Sequence, residues 1–118
     1  FKSGLAGAEY FLSLKERPTA IVCANDSMSI SAIRMITEHG LNVPDDISII
    51  GFDDVEVASQ ISPALTTLAA PIAETAERAL DILLSLMNGE KTENRHIALP
   101  AKLVIRRSCA EAKEPLVA

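Results

Sequence analysis

The sequence predicts an α/β protein, a doubly wound and mostly parallel sheet with helices on both faces, and three observations carry that prediction. Helical and strand-like segments alternate along the chain. The stretch "ISIIGF" is apolar on both faces, as suits a parallel strand covered by helices on each side. Two apolar strands run straight into amide and acid groups, as "IVCAND" at 21–26 and "IIGFDD" at 49–54. Such ends lie where open α/β sheets hold their ligands.

The elements follow in order. Residues 3–15 place Leu5, Ala8 and Leu12 on one helical face, with Ser3 as a candidate N-cap and the Arg17–Pro18 pair ending the element. Residues 19–24 read as a short apolar strand. A second helix is expected from Ser27 to His39, capped by Asn25 or Asp26 and closed by Gly40. Met28, Ala32, Met35 and Ile36 form its core stripe, while Ile30 and Ile33 form a second apolar flank that one sheet does not require. "NVPDD" is turn chemistry ahead of "ISIIGF". "ASQISPALTTL" reads as a turn of helix, a proline and a strand near 66–69. Pro71 opens the strongest helix, to Asn88, with Ile72, Ala76, Ala79, Leu80, Leu83, Leu84 and Met87 on one side and Gly89 closing it. Two short strands, "HIAL" and "KLVIR", flank Pro100, and the tail from Cys109 reads as frayed. The first helix has no strand leading into it, although helices in such sheets are crossovers between strands. The pattern is that of a partial domain.

At 118 residues and 48% hydrophobic, with no tryptophan, the chain can bury an aliphatic core of single-domain size. Its apolar runs fall far short of the roughly 20 residues of a membrane helix. No charged-then-apolar leader precedes the first helix, in a chain that starts at Phe1. A net charge of −5 repels phosphate backbones, which argues against nucleic-acid binding by this segment itself. Cys23 and Cys109 lie far apart and fit neither a zinc pattern nor a disulfide framework, as expected of reduced thiols in a cytoplasmic protein.

The two strand ends carry the functional reading. An amide donates and accepts, and carboxylates accept two or more hydrogen bonds, a set suited to sugar hydroxyls or nucleobase donors. Asp26 and Asp54 are expected to cap the following turns or to support their neighbours. Asn25 and Asp53, still on the strand ends, are the expected ligand contacts. The rival reading is Mg²⁺-dependent phosphotransfer at paired acids. It also needs a lysine after a later strand, where "LTTLAAP" supplies alanines. His39 and His96 lie in unrelated contexts, and no metal-ligand or nucleophile–base spacing stands out. No cofactor or metal is expected, and no catalysis.

"RPTAIVCANDSMSISAIRMITEHGLNVPDDISIIGFDD", then "ISPALTTLAAPIAETAERALDILL" and "LPAKLVIRRS", resembles the C-terminal part of the LacI/GalR family of transcriptional regulators, from the start of the chain to Ser108. That resemblance implies a periplasmic-binding-protein-like, type I sensor of two lobes behind a helix-turn-helix that is not in this chain. It implies that residues 1–69 belong to the C-terminal lobe, 70–104 to the N-terminal lobe, and 105–118 to a return strand and tail. Its effector positions fall on Asn25 and Asp53, with Phe52 as a wall, and its dimer contact on Ile30, Ile33, Ile61 and Leu65. Many members carry a glutamine before the proline that opens the long helix, where this chain has Ala70. The effector's edge there is expected to be less polar, or to meet a water.

The function implied is an effector-binding and dimerisation module of a cytoplasmic repressor. It would sense a small molecule, carbohydrate-like first and nucleobase-like second. As a homodimer it would control operator DNA through the domain outside this chain, with no membrane contact. A periplasmic sugar-binding protein of a transporter is the alternative sharing this fold.

Overall fold

The computed structural model describes residues 1–90 and 96–112. They form two compact units, Phe1–Ala69 with the segment from Leu103 onward, and Ala70–Lys102.

In the first unit, helix α1 (Lys2–Ser13), strand β1 (Ala20–Val22), helix α2 (Asp26–Glu38), strand β2 (Ser48–Phe52), a 3₁₀ turn (Glu56–Ser59) and strand β3 (Thr66–Ala69) follow in that order, and the unit resumes at Leu103 within strand β4 (Lys102–Val104). The sheet runs β1-β2-β3-β4. β1–β2 and β2–β3 are parallel, with Val22 opposite Ile50 and Phe52 opposite Leu68.

Helix α1 packs on α2 through its smallest residues. Gly4 and Ala8 are its buried positions, one turn apart on the same ridge. A Cβ at Gly4 would fall on the Ser31 hydroxyl and the Met28 carbonyl, so glycine lets the two backbones approach. Leu5 and Leu12 are half-buried beside them. Ser3 is not the cap: the helix starts from Phe1 with no side-chain cap, and Leu5 N–H reaches the Phe1 carbonyl at 3.3 Å. With the cap two residues earlier than expected, Ser3 lies inside the first turn of the helix and makes no capping bond.

Helix α2 covers one face of the sheet. Ala32, Ile33 and Ile36 from the helix meet Ile21, Cys23, Ile49 and Leu65 in the core, with Ala8, Ile47 and Ala58. Ser29 and Ser31 are fully buried within α2. Their hydroxyls donate to the Asn25 carbonyl (3.0 Å) and the Met28 carbonyl (2.8 Å), which removes the cost of burying them. The other face carries Val22, 79% exposed, with Ile50, Phe52 and Leu68 half-buried.

The C-terminal segment ties β2 to β3 at their starts. Ser108 Oγ donates to the Ile49 carbonyl (2.6 Å) and accepts from Thr66 N–H (2.8 Å), and Ile49 N–H reaches the Ser108 carbonyl (2.8 Å). Cys109 Sγ also donates to the Ile49 carbonyl, so the chain is held as far as this expected frayed tail begins. Residues 113–118 of that tail lie outside the described residues.

The second unit contains helix α3 (Ile72–Met87), entered from Pro71 and left through Gly89 at φ 76°. None of its residues is buried; Ile72, Leu80, Leu83, Leu84 and Met87 are all exposed. Residues 96–99 form no strand, against expectation, although 102–104 do. Alternation alone makes no ladder: the sheet described here pairs its strands through β1–β4 and offers 96–99 no place in that order. No helix among the described residues is long and apolar enough to cross a membrane.

Candidate functional site

The register decides the site. Val22 pairs with Ile50, and Cys23 N–H continues the ladder to the Ile50 carbonyl at 2.9 Å. Three positions beyond that pair lie Asn25 on one strand end and Asp53 on the other. Both therefore lie at the carboxyl edge of the sheet.

Asn25 has two jobs. Its backbone is extended and its Oδ1 accepts from Met28 N–H at 2.9 Å, so it is the N-cap of α2. That fixes the amide's orientation. Among the described residues its NH₂ has no partner and remains free to donate.

Asp26 is not the cap. It is fully buried, its Oδ2 accepting from Val55 N–H (2.9 Å) and its Oδ1 from the Thr67 hydroxyl (2.6 Å). One carboxylate thereby joins the end of β1, the turn after β2, and β3. It also lies in the first turn of α2, where the helix dipole favours negative charge. The room it needs comes from Gly51, whose missing Cβ would fall on Asp26 Oδ1 and Ser29 Oγ.

The second strand end is strained. Asp53 has φ 112° and Asp54 φ 56°, both in the region L-residues avoid. Such a conformation costs on the order of 1–3 kcal/mol where the residue is not glycine and survives when its surroundings over-determine it. Asp53 N–H is held by the Leu68 carbonyl (2.9 Å), while its side chain is exposed and unpartnered among the described residues. Asp54 caps no helix: the 3₁₀ turn starts from Val55. Its carboxylate instead meets Arg106 Nη2 at 2.7 Å. Of the two aspartates, one is thus paired with a guanidinium and the other is unpartnered among the described residues. Phe52 is half-buried on the sheet face away from α2, beside Ile50 and opposite Leu68.

Cys23 lies one strand position before this edge. Burial pushes its thiol above the usual value of 9.0, with a smaller opposing effect from a hydrogen bond to Ser29. Burial thus favours the protonated thiol, the less nucleophilic form.

The expected dimer residues divide. Ile30 and Ile61 line an open depression of about 310 Å³ with Arg34, Thr37, Glu38, Ser62 and the edge of Ile33. Leu65, at 0% exposed, is a core residue and not a surface one. It precedes β3 on the side facing α2, with its N–H bonded to the Ala58 carbonyl. Ile33, 5% exposed, is likewise mainly core. A larger depression, about 350 Å³, lies at the opposite, amino-terminal edge of the sheet between Lys15, Arg17, Thr19 and Asp46.

Comparison with known proteins places this arrangement. Residues 2–109 match the family model for a periplasmic binding protein-like domain. The lactose operon repressor of Rhizobium radiobacter is 39% identical over 114 residues, 97% of this chain and 97% of that sequence.

The chain belongs to the LacI family.

Another LacI-family relative, the HTH-type transcriptional repressor PurR of Klebsiella pneumoniae, is 41% identical over 110 residues, 93% of this chain but 32% of that protein. The chain spans about a third of the length of most of the curated relatives it matches. Among solved structures, the lac repressor dimer bound to operator and the anti-inducer ONPF superposes with a TM-score of 0.84 at 37% identity, over 92% of this chain and 38% of that one. A putative LacI regulator from Bacillus cereus gives 0.87 at 28% identity, over 94% and 39%.

Within this LacI-family chain, sequence reasoning picked out the strand-end residues but missed their supports. Thr67 and Gly51 looked like ordinary strand residues, and Arg106 like part of a motif. "LVIRRS" offers two arginines and no local signal for which of them turns inward.

Proposed function

We propose that this chain is the effector-binding and dimerisation part of a LacI-family transcriptional repressor. Residues 1–69 would come from its C-terminal lobe and 70–104 from its N-terminal lobe, with 105–118 the return segment and tail. One observation supports the reading: the parallel register of β1 and β2 brings both strand ends to the same edge of the sheet, and the Asn25 NH₂ and the Asp53 carboxylate have no partner among the described residues. Together they offer two donors and several acceptors to one small molecule. Vicinal hydroxyls of a sugar suit this set, and carbohydrate is the proposed class; a nucleobase edge is the other outcome to test. Phe52 would supply an apolar wall.

The module binds and does not catalyse. The repressors it resembles are named for operons and not for reactions. In the whole regulator, a homodimer in the cytoplasm would hold operator DNA through a domain outside this chain. An effector with different affinity for the two states of that regulator would shift its operator affinity by the same coupling free energy.

Thermal-shift measurements on the full-length regulator with lactose, ribose and guanine test the proposal. A ligand that raises the melting temperature of the wild type should lose that effect in Asp53→Ala. A shift of equal size in both proteins would sink the assignment.

A further inference from the structure

The turn that carries Asp53 is held by residues distant in sequence. Asp53 and Asp54 share a pair of positive φ angles, and each flank of the pair is tied down. Asp53 N–H reaches the Leu68 carbonyl and Val55 N–H reaches Asp26 Oδ2, both at 2.9 Å. Between those ties the side chain of Asp54 meets Arg106 at 2.7 Å. Arg106 is anchored twice more: its Nη1 donates to the Leu65 carbonyl (2.9 Å) and its backbone N–H to Thr66 Oγ1 (2.9 Å). The fork of one guanidinium thus spans the turn after β2 and the start of β3.

An exposed ion pair would add little. This one is different in kind, with side chains only 20% and 26% exposed and a second guanidinium nitrogen on a carbonyl. Planar donors at fixed spacing restrict where Asp54 can sit, as a flexible ammonium does not.

We propose that Arg106 is a positioning residue for Asp53, acting through Asp54 to hold the strained two-aspartate turn that presents the Asp53 carboxylate at the carboxyl edge of the sheet. This rests on the reading of Asn25 and Asp53 as effector contacts. Arg106 does not itself touch the effector in this assignment. Lysine keeps the charge but cannot serve the Asp54 carboxylate and the Leu65 carbonyl as a fork, so it should rescue in part.

The test uses the full-length regulator carrying Arg106→Met or Arg106→Lys, with amide hydrogen exchange read at Asp53, Val55 and Cys23. Cys23 N–H, bonded to the Ile50 carbonyl, reports on the sheet away from the turn. Arg106→Met should speed exchange at Asp53 and Val55 by about tenfold or more while Cys23 is unchanged, with Arg106→Lys between it and wild type. It should also weaken whichever of lactose, ribose or guanine binds the wild type by about tenfold. Equal acceleration at all three amides would show general destabilisation and overturn the proposal, as would unchanged exchange at Asp53 and Val55. An Asp53→Ala protein that keeps its ligand affinity would instead overturn the effector reading, leaving the exchange data to judge the hold on the turn.

Discussion

Single side chains at the sheet edge carry separable roles. Asp53→Ala should remove a charged acceptor worth roughly 3 kcal/mol to a bound ligand, about a hundredfold in affinity. Its side chain makes no bond among the described residues, but alanine keeps the Cβ at φ 112°, so melting temperature without ligand should hold steady or fall slightly. Titration calorimetry that finds affinity within about twofold of wild type would remove Asp53 from the site. Asn25 is less clean. Because its Oδ1 caps α2, Asn25→Ala should cost ~1 kcal/mol of stability as well as affinity. Asn25→Ser keeps an N-cap acceptor while losing the NH₂, and should weaken binding at nearly unchanged stability; urea titrations with and without ligand distinguish the two. Cys23 makes a pH prediction. Its thiol binds its proton more tightly folded than unfolded, so the stability this contributes is complete below 9.0. It is lost as pH rises above that value towards the raised folded one. Urea midpoints at about pH 8 and pH 10 should therefore fall more steeply in wild type than in Cys23→Ala. Equal slopes would mean the buried thiol does not titrate there. The placing of Asn25 and Asp53 at strand ends was legible because apolar runs that break into polar residues mark where strands stop. The cap assignment was not, since Asn25 and Asp26 have nearly equal capping preference and only burial by Thr67 and Val55 separates them.

At the scale of elements, local chemistry set most boundaries. β3 falls on Thr66–Ala69 and α3 on Ile72–Met87, where proline, glycine and periodicity had placed them. The strand expected at 96–99 failed because a strand is defined by its neighbour, not by its own alternation. The flank of α2 shows the same limit. Ile30, Ile33, Ile61 and Leu65 look alike as exposed-face apolar residues, yet only Ile30 and Ile61 border the open depression without belonging to the buried core. Ile30→Glu and Ile61→Glu should each shift the full-length regulator towards monomer with helix content intact, because a charge at a contact must be desolvated. Leu65→Glu should instead unfold it, since a fully buried carboxylate without a partner costs several kcal/mol, roughly the stability of a domain. Sedimentation and circular dichroism together read both outcomes. If Ile30→Glu and Ile61→Glu both remain dimeric, the association surface is elsewhere.

For the molecule as a whole, the exposed face of α3 dominates. Ile72, Leu80, Leu83, Leu84 and Met87 lie along it with exposures from 48% to 74%, and covering such side chains is worth about 1.5–3 kcal/mol each. The 118 residues by themselves should therefore not persist as a native monomer with this face in water. A self-associated species, or one that binds a hydrophobic dye strongly, is expected on sedimentation and fluorescence; a cooperative, dye-silent monomer would contradict it. What the sequence by itself determined was the alternation of helix and strand, the parallel sheet, the family, and the polar strand ends, because periodicity, capping residues and motif order act over a few neighbouring residues. Tertiary structure alone decided which of two adjacent polar residues turns inward, which isoleucines face the core, and which distant arginine holds the aspartate turn. Those outcomes depend on the Val22–Ile50 register and on the space left by Gly51 and Gly4. Contacts between residues about 30 to 50 positions apart leave no periodic trace in the chain, since they are set by what the packed elements bring together and not by local preference.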